Sequence, residues 1–205
     1  MLVDDHAVVR TGYRRLLELE GDVEVLLESG DADAAFEQLQ RRAGRDLDLV
    51  VLDLSMPGRS GLEFLRRGRL HWPWLRWLVF SMHDSPAVIG QALRSGADGF
   101  VSKSSQPDEL VRCLRRVAAG GEQVLADGLQ LPPSAERAPH LELSAREFEV
   151  LQLLLQGQLP AQIGERLHLS SKTVSNLQAR IRSRLGVGSA VELLRYAQQH
   201  RLFTP

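Results

Sequence analysis

Short runs of β-branched and other apolar residues alternate with stretches of helical periodicity through positions 1–119, and this alternation restricts the fold more than any other property of the chain. Parallel strands cannot be joined by tight turns and need a crossover, usually a helix, so a repeated strand-helix order specifies a parallel sheet with helices on its faces. The expected strands are Leu2–Asp4, Val23–Leu27, Leu49–Leu54, Trp77–Ser81 and Gly99–Ser102. Between them, Val8, Val9, Tyr13, Leu16 and Leu17, then Leu62, Phe64 and Leu65, then Val88, Ile89, Ala92 and Leu93 recur at helical spacing. Ser95-Gly96 closes one helix. Pro107 with Asp108 and Glu109 opens the next, where a missing amide is harmless and negative charge meets the helix dipole. Residues 1–119 are therefore expected to form a doubly wound α/β domain on a five-stranded parallel sheet.

Residues 120–142 hold three prolines, glycines and acids without sustained periodicity, which is the composition of a linker. Beyond it the pattern is helical throughout. Ser144, with Glu147 three residues later, forms a capping box ahead of an amphipathic run to Leu155. Pro160 starts a second helix, "HLS" turns the chain, and Ser170 can cap a third helix. Gly186 and Gly188 then break the chain before a last helix at Ala190–His200. Residues 143–205 are expected to be a small all-α domain.

The net charge of −1 hides an asymmetry. Lys and Arg number 16 against 18 acids in residues 1–119, but 8 against 4 in residues 143–205. From Arg166 to Val191 there is no acidic residue, whereas Arg166, Lys172, Arg180, Arg182 and Arg184 are basic. A face of one sign suits a polyanion such as nucleic acid, although a solvated helix surface can carry the same charges. No apolar run approaches the ~20 residues of a membrane span, and the first residues lack the basic-then-apolar order of a secretory signal, so an intracellular chain is expected. The single cysteine, Cys113, has no partner for a disulfide and reads as a buried helix residue.

In an open parallel sheet, ligands gather at the carboxyl ends of the strands. The first strand runs into Asp4 and Asp5, and the third carries Asp53 near its end. Three carboxylates at one edge repel one another unless a cation stands among them, and ligation by oxygen alone favours Mg²⁺. Ser81 closes the fourth strand and Lys103 follows the fifth, adding a hydroxyl and an ammonium that can bind the oxygens of a phosphoryl group in transfer. The chemistry this combination suits is phosphorylation of an aspartate.

These elements, in this order and spacing, resemble the flavodoxin-like receiver domain of two-component response regulators. The resemblance implies a strand order of 2-1-3-4-5, Asp53 as phosphoacceptor, Asp4 and Asp5 as the acidic pair that holds Mg²⁺ with it, and Ser81 and Lys103 as the phosphoryl-binding hydroxyl and amine. Phe100, three residues before Lys103, takes the place of the switch aromatic, which packs inward when the hydroxyl residue moves to the phosphoryl group. Ser55 and His83, two residues after Asp53 and Ser81, stand where the family tunes hydrolysis of the aspartyl phosphate.

The stretch "LSAREFEVLQLLLQGQLPAQIGERLHLSSKTVSNLQARIRSRLGV" resembles the LuxR-type helix-turn-helix, and the two resemblances together indicate the NarL/FixJ class. By motif, Lys172, Thr173, Val174 and Ser175 begin the recognition helix and meet the major groove, while Arg180 and Arg182 contact phosphates. The class implies a cytoplasmic regulator that is fed by a sensor histidine kinase and dimerises when active. It binds double-stranded promoter DNA, where it meets RNA polymerase, and catalyses only its own phosphoryl transfer and dephosphorylation. In the last helix, Val191, Leu194, Tyr196 and Ala197 either close the small core or leave an exposed part for a two-fold dimer. Two other readings stand beside this one: a phosphorylation-independent DNA binder that uses its receiver to dimerise, and an aspartyl-phosphate hydrolase. Ser55 argues against the second, since such enzymes usually carry a second Asp there.

Overall fold

The computed structural model describes residues 1–42, 46–58, 60–131, 138–200 and 202. The chain divides into two compact units, one of Met1–Asp84 with Ala92–Leu129 and one of Ser85–Gln91 with Gln130–Pro205. The expected linker segment at 132–137, and residues 201 and 203–205 of the expected C-terminal domain, lie outside the described residues.

The first unit is built on strands β1 (Leu2–Val3), β2 (Glu28–Ser29), β3 (Leu49–Leu52), β4 (Arg76–Ser81), β5 (Gly99–Ser102) and β6 (Val124–Leu125). Its crossovers carry helices α1 (Ala7–Glu18), α2 (Ala32–Arg41), α3 (Gly61–His71) and α5 (Pro107–Ala118), while α4 (Pro86–Arg94), between β4 and β5, is divided, with Pro86–Gln91 counted in the second unit and Ala92–Arg94 in the first. All strands are parallel, in the order β2-β1-β3-β4-β5-β6. The first five follow the expected order, but among the described residues the sheet has six strands rather than five.

The sixth strand lies inside the span expected to be linker. Its amides reach β5: Val124 N–H donates to the Asp98 carbonyl at 2.9 Å and Ala126 N–H to the Phe100 carbonyl at 3.1 Å. Gly99 permits this approach, because a Cβ there would stand 2.7 Å from the Val124 carbonyl oxygen. The second strand also departs from expectation, forming at Glu28–Ser29 instead of Val23–Leu27. A strand needs a partner, and β1 offers only Leu2 and Val3, which register with Glu28 and Ser29.

Successive strand residues face opposite sides of the sheet. On one side Leu78, Phe80 and Val101 join Leu17, Leu110, Cys113 and Leu114 in a buried cluster, so Cys113 is the core residue its periodicity implied. On the other, Trp77 packs edge-on to Phe64. A Cβ at Gly68 of α3 would run into the Trp77 ring, so the helix lies against the sheet only because that position is glycine.

In the second unit, α6 (Ala145–Leu155), α7 (Pro160–Arg166), α8 (Ser171–Leu185) and α9 (Ala190–Gln199) form a small helical bundle. The caps are those the sequence offers. Ser144 and Glu147 make the reciprocal capping box, Ser170 accepts from Thr173 N–H, and Gly186 ends α8 in the left-handed conformation at φ 68°. The turn between α7 and α8 is tight: a Cβ on Gly164 would lie 2.7 Å from the Leu169 carbonyl, and His168 has φ 52°. In α9, Leu193 and Ala197 are buried, while Val191 and Leu194 are 68% and 45% exposed. Of the two alternatives for this helix, complete closure of the core does not hold: Ala197 is buried and Tyr196 half-buried, and Val191 and Leu194 leave an exposed part.

Candidate functional site

Pairing between β1 and β3 sets the carboxylates side by side. Asp53 N–H donates to the Val3 carbonyl at 2.8 Å, which ends β3 level with β1 and puts Asp53 next to Asp4. Both residues are buried, Asp4 at 6% and Asp53 at 3% exposure. Buried like charges need a counter-ion. Lys103, following β5, provides it: Nζ donates to Asp4 Oδ2 at 2.7 Å and to Asp53 Oδ2 at 2.5 Å, with its side chain 7% exposed. Burial alone would lower the Lys103 pKa, but the hydrogen bonds and charges of Asp4 and Asp53 outweigh it and leave the ammonium pKa raised.

Asp5 is the more open member of the acidic pair. Its Oδ1 is buried and receives no hydrogen bond, with His6 Nδ1 3.0 Å away. The His6 backbone amide donates to Asp4 Oδ1 at 2.8 Å. One ligand atom from each of Asp4, Asp5, His6 and Asp53 falls within a 4.8 Å span. An open acceptor on Asp5 beside buried carboxylates is a donor set that fits a hard divalent cation. His6, the residue before α1, is not among the residues expected at this site.

Ser81 ends β4 fully buried, its hydroxyl accepting from the His83 amide at 3.2 Å. Lys103 N–H donates to the Ser81 carbonyl at 2.9 Å, so the ends of β4 and β5 are locked in register beside the carboxylates. Ser55 meets Asp53 through its backbone, its N–H donating to Oδ1 at 2.9 Å. Gly61 brings α3 against this turn, since a Cβ there would be 2.9 Å from the Asp53 carbonyl. Phe100 is completely buried, on the sheet face opposite Val101. The structure therefore brings Asp4, Asp53 and Lys103 into direct contact and places Asp5 and Ser81 at the same sheet edge.

On the helical unit, Lys172, Thr173, Ser175 and Arg180 are exposed and Arg182 is half-exposed. The Thr173 hydroxyl bonds the Ser170 hydroxyl at 2.8 Å and the Ser175 hydroxyl donates to the Ser171 carbonyl at 3.0 Å. Val174 is fully buried, so it is withdrawn from the expected groove contacts. An apolar residue one position after two exposed polar ones turns into the helix-packing side and fixes α8 in the bundle. Arg184, basic but not among the expected contacts, donates to the Glu142 carbonyl at 3.0 Å and pairs with Glu147 at 3.2 Å. Burial would raise the Glu147 pKa; the Ser144 hydrogen bonds and the nearby Arg184 and Arg180 charges bring it below the ordinary carboxylate value. Among the described residues, no helix is long and apolar enough to cross a membrane.

A parallel sheet with clustered carboxylates and a lysine at its strand ends, followed by a helix-turn-helix, defines a signal-receiving domain joined to a DNA-binding one. Residues 1–115 match the family described as response regulator receiver domain, and residues 141–197 match bacterial regulatory proteins, luxR family. The chain belongs to the response regulators that combine these two domains. It is 39% identical to the transcriptional regulatory protein UhpA of Salmonella typhimurium, over 98% of this chain and 96% of that one. It is 31% identical to response regulator UvrY of Escherichia coli strain K12, over 98% and 94% respectively. Among solved structures, RcsB of Salmonella typhimurium superposes with TM-score 0.71 at 30% identity, covering 97% of this chain and 95% of that one. RcsB from Salmonella enterica serovar Typhimurium bound to promoter rprA with the phosphomimetic BeF3⁻ gives TM-score 0.66 at 29% identity, covering 96% of each chain.

Proposed function

We propose that this regulator accepts a phosphoryl group on Asp53 from a sensor histidine kinase, and that the modification controls dimerisation and promoter binding by its helix-turn-helix. The observation that carries this reading is the position of Lys103 Nζ between Asp4 and Asp53. In the transfer, an Asp53 oxygen attacks phosphorus, the P–N bond to the donor imidazole breaks, and that nitrogen keeps the electron pair. Asp4, Asp5 and Asp53 would hold Mg²⁺, which when bound offsets charge on the carboxylates and phosphoryl oxygens. Lys103 exchanges its Asp53 contact for a phosphoryl oxygen, and the Ser81 hydroxyl leaves the His83 amide for another. The added charge, about −1.5 to −2, draws these groups inward and shifts the packing around Phe100.

The relatives support the output. One RcsB structure holds promoter DNA and another shows two RcsB dimers on two parallel DNAs. By that likeness, Lys172, Thr173 and Ser175 face the groove, Arg180 and Arg182 the phosphates, and a second copy pairs with this chain. The place of action is the cytoplasm, RNA polymerase is the machinery met at the promoter, and no external substrate is turned over. A second reading, a regulator that works without phosphorylation, is favoured by one observation: Phe100 is already buried while the Ser81 hydroxyl remains on the His83 amide. Labelling with acetyl phosphate and Mg²⁺ tests the primary reading. Wild type should incorporate one phosphoryl group and Asp53→Ala none; undiminished labelling of Asp53→Ala would refute the assignment.

A further inference from the structure

Arg10 lies one helical turn beyond His6 and reaches back to the metal-site turn. Its Nη1 donates to the carbonyl of Asp4 at 2.5 Å, and its Nε stands 3.4 Å from Glu28 Oε2 on β2. Glu28 is held in turn by Arg14 Nη1 at 2.6 Å. From the other side, Asp4 N–H donates to the Ser29 carbonyl at 3.0 Å. Asp4 is thus gripped at its amide by β2 and at its carbonyl by α1.

The Asp4 carbonyl belongs to the peptide that joins Asp4 to Asp5. A peptide unit is planar, so fixing its C=O direction fixes the plane from which the Asp5 Cα, and with it the Asp5 carboxylate, projects. Asp5 needs that support. Its Oδ1 receives no hydrogen bond, and its side chain is more exposed than that of Asp4. Arg10 and Asp53 also line the same small void, with Asp4, Tyr13 and Phe80.

We propose that Arg10, braced by Glu28, is a positioning residue for the divalent-cation site, aligning the Asp4-Asp5 peptide so that both carboxylates meet the ion. The inference rests on the proposed role of Asp4 and Asp5 in binding Mg²⁺. It does not place Arg10 against the phosphoryl group, so it separates two steps: metal binding depends on Arg10, whereas phosphoryl transfer once metal is bound does not. Partners that orient metal ligands are worth about 10- to 100-fold in affinity.

The test measures Mg²⁺ affinity calorimetrically on the full chain for wild type, Arg10→Ala, Arg10→Lys and Glu28→Gln, with acetyl-phosphate labelling rates across Mg²⁺ concentrations. Arg10→Ala should weaken Mg²⁺ binding about 10-fold or more, and raise the Mg²⁺ concentration for half-maximal labelling equally, with the rate at saturating Mg²⁺ unchanged. Arg10→Lys should recover part of the loss, and Glu28→Gln should show a smaller one. Unchanged affinity in Arg10→Ala, or a rate deficit that saturating Mg²⁺ does not repair, overturns the proposal. Backbone amide exchange at Asp5 and His6 serves if Arg10→Ala is poorly folded: faster exchange in Arg10→Lys supports positioning, and unchanged exchange refutes it. Failure of wild type to bind Mg²⁺ would instead overturn the underlying site assignment.

Discussion

Replacing Lys103 by methionine removes the ammonium between two buried carboxylates while keeping most of the packing of its stem. In the native protein one nitrogen bonds Asp4 and Asp53 together, at 2.7 and 2.5 Å. Breaking a buried ion pair from one side costs about 3–5 kcal/mol. With a urea m-value of about 2 kcal/mol/M, the unfolding midpoint should drop by about 2 M. Trp72, Trp74 and Trp77 all lie in the first unit, so fluorescence reports that unit alone. Millimolar Mg²⁺ should shrink the deficit by supplying a replacement cation. In wild type the Lys103 pKa is raised, so its contribution is complete below the ordinary lysine value and lost as pH rises through the folded one. A midpoint within about 0.5 M of wild type, or a deficit indifferent to Mg²⁺, would refute the reasoning.

In a chain whose free amine is that of Met1, burial pushes the ammonium down to about 5, against a weaker opposing pull from Asp48. The folded state then binds fewer protons than the unfolded one between about pH 5 and 8, so stability is complete above 8 and declines toward 5. The effect is at most about 4 kcal/mol, and acetylating the amine should abolish its part of the slope in pH-dependent thermal melts. Gly68→Ala should destabilise the first unit by about 1–3 kcal/mol or more, since its methyl group meets the Trp77 ring; an unchanged urea midpoint would contradict the packing. Lys172→Ala should weaken DNA binding, and unchanged affinity would contradict its place at the groove; Arg180→Ala should flatten the salt dependence of binding by about one unit of log-log slope. Val174→Ala should lower the stability of the helical unit, leaving the salt slope intact, because Val174 is buried.

The chemistry of the site was legible where a residue's place along a strand decides its position in space. Asp4, Asp53, Ser81 and Lys103 sit at ends of consecutive parallel strands, and any sheet of that kind brings such ends to one edge. Strand lengths were less legible, because they depend on partners. Val23–Leu27 has strand composition, yet β1 is too short to pair with it. Val124–Leu125 carries no period of its own among glycines and acids, and becomes a strand because Gly99 leaves room beside β5. In "AVELLRYAQQH", adjacent leucines fit either helix face, so sequence alone could not choose Leu193 over Leu194 for the core. Arg10 left no trace in the pattern, since a side chain that grips a backbone carbonyl imposes no residue type on its partner.

The central claim is that the state of Asp53 governs DNA binding. Promoter-fragment affinity and molecular mass, measured side by side on the full chain with and without BeF3⁻ and Mg²⁺, test it most directly. The account predicts a shift toward dimer together with tighter binding on BeF3⁻ addition, both absent in Asp53→Ala. Equal mass and equal affinity in the two states of wild type would contradict it.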